Sequence, residues 1–276
     1  MTVATVTVAC CQVRLAVGDT VGNRSQLRSA IRHAADAGAR VIVLPELANA
    51  GYMFDSLHEL QAAAEPVGGA TIAEWEEIAR DRNLIIIGGF AETGNNGTVY
   101  NSAVLVDETG VRARYHKAHL WDREKRSLFT PGSDPPPIIE TAVGRIGLMI
   151  CYDLEFPEWV RAVALGGADL LCAPVNWPLF SRPAGERPAE IVRVQAAAST
   201  NRMFIAVADR AGTERGQEWL GGSVIVDANG FPVTDLLLGE ESTFVATLQL
   251  AEARNKGISE NNDVLADRRP ELYADE

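Results

Sequence analysis

The chain reads as an α/β protein built on mixed β-sheet, and three observations say so. Strand-like apolar runs alternate with helix-like segments almost to the C-terminus. Several runs are apolar on consecutive residues rather than on alternate ones, the pattern of strands covered on both faces. Turn dipeptides such as Asn229-Gly230 add hairpins to the crossover units.

Taken in order, the first strand is expected over 6–13 (VTVACCQV). A helix over 23–37 follows, with Leu27, Ala30, Ile31 and Ala34 on one face and Arg24, Arg28 and Arg32 on a separate flank. Gly38 stands directly after it, where a helix-terminating glycine belongs. The run 41–46 (VIVLPE) is the second strand. A helix over 71–80 opens with Thr71 and Glu74 at capping-box spacing. Strands are then expected over 84–90 and 101–107, and Pro and Gly make 128–137 (LFTPGSDPPP) a loop. The run 146–153 (IGLMICYD) is a strand that feeds a helix over 157–165. After a strand over 169–175, a helix over 186–201 carries Ile191, Val194, Gln195 and Ala198 at helical intervals. Strands over 203–209, 223–227 and 243–249 complete the pattern. The organisation expected is one domain over 1–276, with 262–276 as a C-terminal arm.

Composition bounds the function. At 276 residues the chain is long enough to bury a large core, with 47% hydrophobic and 22% charged residues. A formal charge of −12 disfavours nucleic acid and anionic membranes as partners. The cysteines are Cys10, Cys11, Cys151 and Cys172; no CxxC occurs, and the pattern fits a reducing cytosol. The N-terminal run has no basic start and no small-residue cleavage site, so it does not read as a signal peptide. No apolar stretch is long enough for a membrane span. A cytoplasmic location is the expectation. No GxGxxG follows a strand and no GxxxxGK[ST] occurs, which leaves a nucleotide-dependent enzyme without support.

Three places put a reactive residue where a strand ends, the usual position of sites in α/β folds. Glu46 follows the apolar run 41–44 and Pro45. Partial burial there would raise its pKa and suit a general base, although a strand-end glutamate facing water fits the same pattern. Lys117 lies in YHKAHLW (115–121), where desolvation would aim it at a developing oxyanion; an exposed lysine is the plainer alternative. His116 and His119 in that segment have the spacing of a metal pair, but no further His or Cys cluster supplies the remaining ligands, so no metal is expected. Cys151 is delivered by a strand to a turn before a helix, where backbone N–H groups favour thiolate. Cys10, Cys11 and Cys172 fit buried, inert thiols better.

Together these segments resemble the nitrilase, or carbon–nitrogen hydrolase, superfamily. PEL at 45–47, HKAHLW at 116–121 and CYDLEFPE at 151–158 resemble the segments that carry that family's Glu, Lys and Cys, in the same order. REKRSLFTPG (123–132), NRMFIAVADRAG (201–212), GGSVIVDANG (221–230) and LADRRPELY (265–273) extend the likeness over nearly the whole chain.

The resemblance implies a four-layer α-β-β-α sandwich with two mixed sheets, a homodimer or higher homo-oligomer, and neither metal nor organic cofactor. It implies Cys151 as nucleophile, Glu46 as acid and base, and Lys117 with the Tyr152 backbone N–H as oxyanion donors. An ammonium about 4 Å from the thiol is worth about 4 kcal/mol to the thiolate at an effective dielectric of ~20, so Lys117 is expected to activate Cys151 as well. Glu124 resembles the fourth polar residue of many members. Tyr52, Trp121, Tyr152, Asn176 and Trp177 are the expected substrate-binding residues. Tyr152-Asp153 looks more like the amidase and carbamoylase branches than the true nitrilases. The expected activity is hydrolysis of a small aliphatic amide. An N-carbamoyl amidohydrolase, an ω-amidase, a nitrilase and a catalytically idle interaction domain are the competitors.

Overall fold

The computed structural model describes residues 5–126 and 128–273. The first four residues of the N-terminal run, Ser127 in the loop after the lysine, and the last three residues of the expected arm lie outside them.

The chain opens with β1 (Val6–Arg14) and α1 (Thr20–Asp36). This helix starts earlier than its hydrophobic pattern suggests, because Asp19 caps it and accepts the Gly22 N–H at 2.9 Å. Asn23 is buried inside the first turn, where its amide bonds both the N–H and the carbonyl of Ala16. After β2 (Val41–Val43) come α2 (Leu57–Ala63) and α3 (Ala70–Arg82). The capping box expected at Thr71 and Glu74 does not form. Gly69 is the cap, Thr71 donates to Glu65, and Glu74 pairs with Arg24 and Arg28 of α1.

Next come β3 (Ile85–Thr93), β4 (Val99–Asp107), β5 (Gly110–His116), β6 (Ile138–Thr141) and β7 (Gly144–Leu148). β5 was not expected. It alternates Val111, Ala113 and Tyr115 with Arg112, Arg114 and His116, the pattern of an edge strand with one wet face, not a continuous apolar run. The strand expected over 146–153 stops at Leu148, so Cys151 lies in a 3₁₀ turn (Cys151–Glu155) rather than on a strand.

The second half holds α4 (Pro157–Leu165), β8 (Leu170–Pro174), α5 (Ala189–Asn201), β9 (Phe204–Ala208) and β10 (Arg210–Ala211). α5 begins after the expected position because Pro188 is extended at its N-cap. A small hairpin of β11 (Thr213–Glu214) and β12 (Gln217–Glu218), then β13 (Val224–Val226) and β14 (Ser242–Leu248), complete the sheets. The Asn229-Gly230 turn is wider than a two-residue hairpin: the bond closing it runs from the Asp227 N–H to the Phe231 carbonyl at 2.9 Å.

The first sheet runs β10-β1-β2-β3-β4-β5, with β14 also on β1. The second runs β13-β9-β8-β7-β6. Parallel pairing joins β1 to β2 to β3, and β7 to β8 to β9; the other neighbours in each path are antiparallel except β10, which is parallel to β1.

Strand parity explains the layers. Val8, Cys10, Val41, Val43, Ile85 and Ile87 face the second sheet and share one core with Leu148, Leu170, Cys172, Phe204 and Ala206. Ala9, Cys11, Ile42 and Ile86 face the other way, onto Leu27 and Ile31 of α1 and Ile72, Trp75 and Ile78 of α3. Val160, Val163, Ile191 and Val194 of α4 and α5 cover the far face of the second sheet. The order is therefore helices, sheet, sheet, helices. All four cysteines are buried and free, and the adjacent Cys10 and Cys11 point to opposite faces. Among the described residues no helix is long and apolar enough to cross a membrane.

Candidate active site

The first sheet delivers Glu46. Although β2 ends at Val43, the chain stays fastened to β3 through Leu44 N–H to the Ile87 carbonyl, Gly89 N–H to the Pro45 carbonyl and Ala48 N–H to the Gly89 carbonyl. Gly89 is required for this approach, because a Cβ there would sit 2.6 Å from the Glu46 Cα. The Glu46 N–H reaches across to the Val175 carbonyl at 3.2 Å, tying the loop to the second sheet.

The β4–β5 hairpin delivers Lys117, held by its N–H to the Asn101 carbonyl at 2.8 Å. Its ammonium is fully buried and donates to Glu46 Oε1 at 2.7 Å and Glu124 Oε1 at 2.9 Å. Asn101, at the start of β4, donates to the same two oxygens at 2.7 and 2.9 Å. Tyr52 Oη adds a third bond to Glu124 Oε1 at 3.0 Å, and the Trp121 N–H bonds Glu124 Oε2 at 2.6 Å. Both Glu124 oxygens are thus occupied. Glu46 Oε2 is buried with no partner.

The second sheet delivers Cys151. It has φ +47°, a left-handed backbone that a non-glycine residue adopts at a cost of roughly 1–3 kcal/mol. Asp153 holds the turn: it accepts Ile150 N–H, Tyr115 Oη, His119 N–H and His119 Nδ1, so the lysine loop and the cysteine turn share one carboxylate. The first bond of the turn runs from Asp153 N–H to the Ile150 carbonyl, so helix geometry leaves the Tyr152 N–H without an acceptor inside it. Cys151 Sγ lies 3.9 Å from the Asn176 carbonyl.

Electrostatics changes one expectation. Burial pushes the Cys151 thiol well above its ordinary range, and the Glu46 carboxylate pushes the same way; Lys117 opposes them without prevailing. Lys117 does not act as a free cation beside the sulfur, because two carboxylates already share it. Burial alone would lower the Lys117 pKa, but Glu124 and Glu46 outweigh burial and keep it charged. Burial also raises Glu46, with Glu124 adding to the rise and Lys117 opposing it. The resting site therefore pairs a neutral thiol with a carboxylate of raised basicity.

A cleft of about 170 Å³ opens beside this cluster, lined by Tyr52, Trp121, Asn176 and Trp219 among others. Asn176 is 2% exposed and both its amide atoms lack partners. The Trp177 side chain is buried in the main core, and Trp219, which no strand-end pattern singled out, stands at the cleft instead. Tyr152 packs edge-on against Trp121 and Phe156. His116 and His119 do not converge: the first bonds Glu92 and the second Asp153. Asn101 and Arg210 were also missed, since a strand asparagine and an arginine in an apolar run carry no local signal of burial.

A family model described as carbon-nitrogen hydrolase matches residues 7–256. The chain belongs to the carbon–nitrogen hydrolase family. This hydrolase is 35% identical over 252 residues to a protein named nitrilase from Pyrococcus abyssi, covering 91% of this chain and 92% of that one. It is 34% identical to an (R)-stereoselective amidase of Pseudomonas sp., over 91% of this chain and 87% of the relative. Its fold superposes on the crystal structure of an amidase from Nesterenkonia sp. with a TM-score of 0.81 at 28% identity, covering 99% and 97% of the two chains. A mutant of the Nesterenkonia amidase, at TM-score 0.80 and 27% identity, carries the acetamide moiety of fluoroacetamide covalently added at its active-site cysteine.

Proposed function

We propose that this hydrolase cleaves small, uncharged aliphatic amides to a carboxylic acid and ammonia through a Cys151 thioester. The observation that carries the reading is the buried, unpartnered Glu46 Oε2 in a cluster that is electrostatically coupled to Cys151. As Sγ attacks the amide carbon, the thiol proton passes to Glu46. The carbonyl π pair moves onto oxygen, which is met by Lys117 and the Tyr152 N–H. Two of the three ammonium protons are committed to carboxylates, leaving one for the oxyanion. Glu46 then gives the proton to the amide nitrogen, the C–N bond breaks and ammonia departs. Water attacks the thioester with Glu46 as base, releasing the acid and restoring the thiol. Glu124 holds Lys117, and its bond from Tyr52 fixes it.

Size and charge support the substrate class. The cleft of about 170 Å³ is below the roughly 300–1,000 Å³ of drug-sized sites. Asn176 offers a donor and an acceptor that complement a primary amide. A carboxylate-bearing substrate would need a free cation at the cleft, but Arg123, which lines it, bonds the Phe54 carbonyl and pairs with Asp55, and the arginines of the 187–202 segment are engaged as well. Arg193 pairs with Glu155 and Glu190, Arg202 bonds Asn229 and the Asn255 carbonyl, and Arg187 bonds Gln195. That weighs against carbamoyl amino acids and dicarboxylic monoamides. The amidase name of the Pseudomonas relative and the covalent acetamide adduct at the active-site cysteine of the Nesterenkonia enzyme agree with a site that admits a small amide.

Ammonia release from a panel of amides, N-carbamoyl compounds and nitriles tests the reading, with Cys151→Ala as blank. Short amides are expected to lead the ranking. Nitriles in first place would move the chain to the nitrilase branch, and amide turnover surviving in Cys151→Ala would end the thioester mechanism.

A further inference from the structure

The two halves of the site belong to different sheets, so their separation depends on whatever holds the sheets in register. The chain crosses between them once at a single residue inside the core: β9 ends in the second sheet at Ala208 and β10 begins in the first at Arg210. Asp209 and Arg210 are both fully buried. Each reaches back to a different half of the site.

The Asp209 carboxylate accepts the backbone N–H groups of Trp177 at 3.0 Å, Arg210 at 2.8 Å and Gly222 at 2.8 Å. It thereby holds the 175–177 loop, whose Asn176 carbonyl faces the Cys151 sulfur. Arg210 faces the other way. Its Nη2 donates to the carbonyls of Glu46 at 2.8 Å and Leu47 at 3.2 Å, and its Nη1 pairs with Glu214. Leu47 has φ +46°, so the backbone just after the base is held in a conformation it would not choose alone. Glu214 in turn accepts the N–H groups of Tyr52 at 2.9 Å and Met53 at 3.1 Å, and Tyr52 is the residue that bonds Glu124.

We propose that Arg210 is a positioning residue for the hydrolysis. Its guanidinium fork sets the Glu46 base and, through Glu214 and Tyr52, the Glu124 carboxylate, while Asp209 sets the loop beside Cys151. The proposal rests on the reading of Cys151 as nucleophile and Glu46 as its base. A planar fork can serve two carbonyls and a carboxylate at once; the single ammonium of a lysine cannot hold the same geometry. A misplacement of about 1 Å between reacting groups costs about a hundredfold in rate.

The test uses the full chain with Arg210→Lys, Arg210→Met and Glu214→Gln, assayed on a short primary amide for kcat, KM and the pH profile. Melting curves and the rate of Cys151 alkylation by iodoacetamide accompany each. Arg210→Met is expected to lower kcat about a hundredfold with KM nearly unchanged. The acid limb of its kcat/KM profile should move to higher pH, because a cation near Glu46 has gone and the charge of Glu214 is left behind. Arg210→Lys keeps the charge, so its limb should stay while kcat falls. Glu214→Gln should give a smaller fall, since the amide oxygen still accepts from Tyr52 and Met53.

A folded Arg210→Met enzyme with wild-type kcat and pH profile overturns the proposal, and so does a loss confined to KM. If Arg210→Met does not melt cooperatively, Arg210→Lys decides: a lowered kcat at wild-type melting temperature supports the role, and a wild-type kcat removes it. A wild-type chain that turns over no amide would instead remove the proposed function, a separate outcome.

Discussion

His116 and Lys117 are neighbours in the chain, yet they meet two carboxylates that differ in almost every respect but burial. Glu92 takes His116, with Ser102 at 2.6 Å and Arg114 at 2.8 Å, and both its oxygens are occupied. Burial would raise its pKa, but His116, Ser102 and Arg114 outweigh burial and hold it below the ordinary value of 4.5. Glu46 takes Lys117, keeps Oε2 unpartnered, and shares that ammonium with Glu124; burial prevails there and the pKa rises. A carboxylate whose lone pairs are saturated by donors is an anchor. One that is buried and left incomplete is poised to take a proton. Strand parity sends the two adjacent side chains to these opposite fates.

The comparison can be broken most severely at the thiol and its base. Cys151→Ala is expected to reduce ammonia release to the uncatalysed background. Glu46→Gln, which keeps the shape and removes the basic oxygen, should lower kcat by about 10²–10⁴-fold in the same assay. If it costs no more than Glu92→Gln, the distinction between the two carboxylates fails.

Lys117→Met should act on stability as well as rate. It leaves two carboxylates buried without their cation, and removing one partner of a buried ion pair typically costs about 3–5 kcal/mol. Urea unfolding measures this, and an unchanged midpoint would show that the cluster does not depend on its cation.

pH sharpens the contrast. In the proposed mechanism Glu46 must be ionised to accept the thiol proton, and its value is raised, so the acid limb of kcat/KM is expected above pH 4.5. Glu92 has the opposite sign. Its folded value lies below 4.5, so the stability it adds is fully present above that pH and disappears as pH falls through the lower folded value. The gap in urea midpoint between wild type and Glu92→Gln should therefore be larger at pH 7 than in acid. The smallest effect is that of Glu92→Gln itself at neutral pH, on the order of 1 kcal/mol, with amide turnover unchanged.

Much of the fold was legible because apolar runs mark strands, and each of the nine runs expected as strands overlaps one. The edge strand β5 escaped that criterion because one of its faces is wet, although it is the strand that leads into Lys117. The capping box at Thr71 failed because Glu65 and the arginines of α1 competed for its two members, and neither competitor is local. At the site, reactive residue types at strand ends pointed to positions 46, 117 and 151. Asn101, Asp209 and Arg210 had no such mark, since their importance lies in the backbone and carboxylate groups they reach, up to 164 positions away.

The sequence by itself determined the alternation of strands and helices, the family, and which acids, amines and thiols stand at the ends of strands, because these depend on neighbours within a few residues. Only the tertiary structure decided which carboxylate was saturated and which was not. It also decided that Lys117 was neutralised rather than free, and that Trp219 rather than Trp177 stood at the cleft. Protonation and charge depend on distances in space and on access to water, and in this fold those are set by two sheets packed face to face.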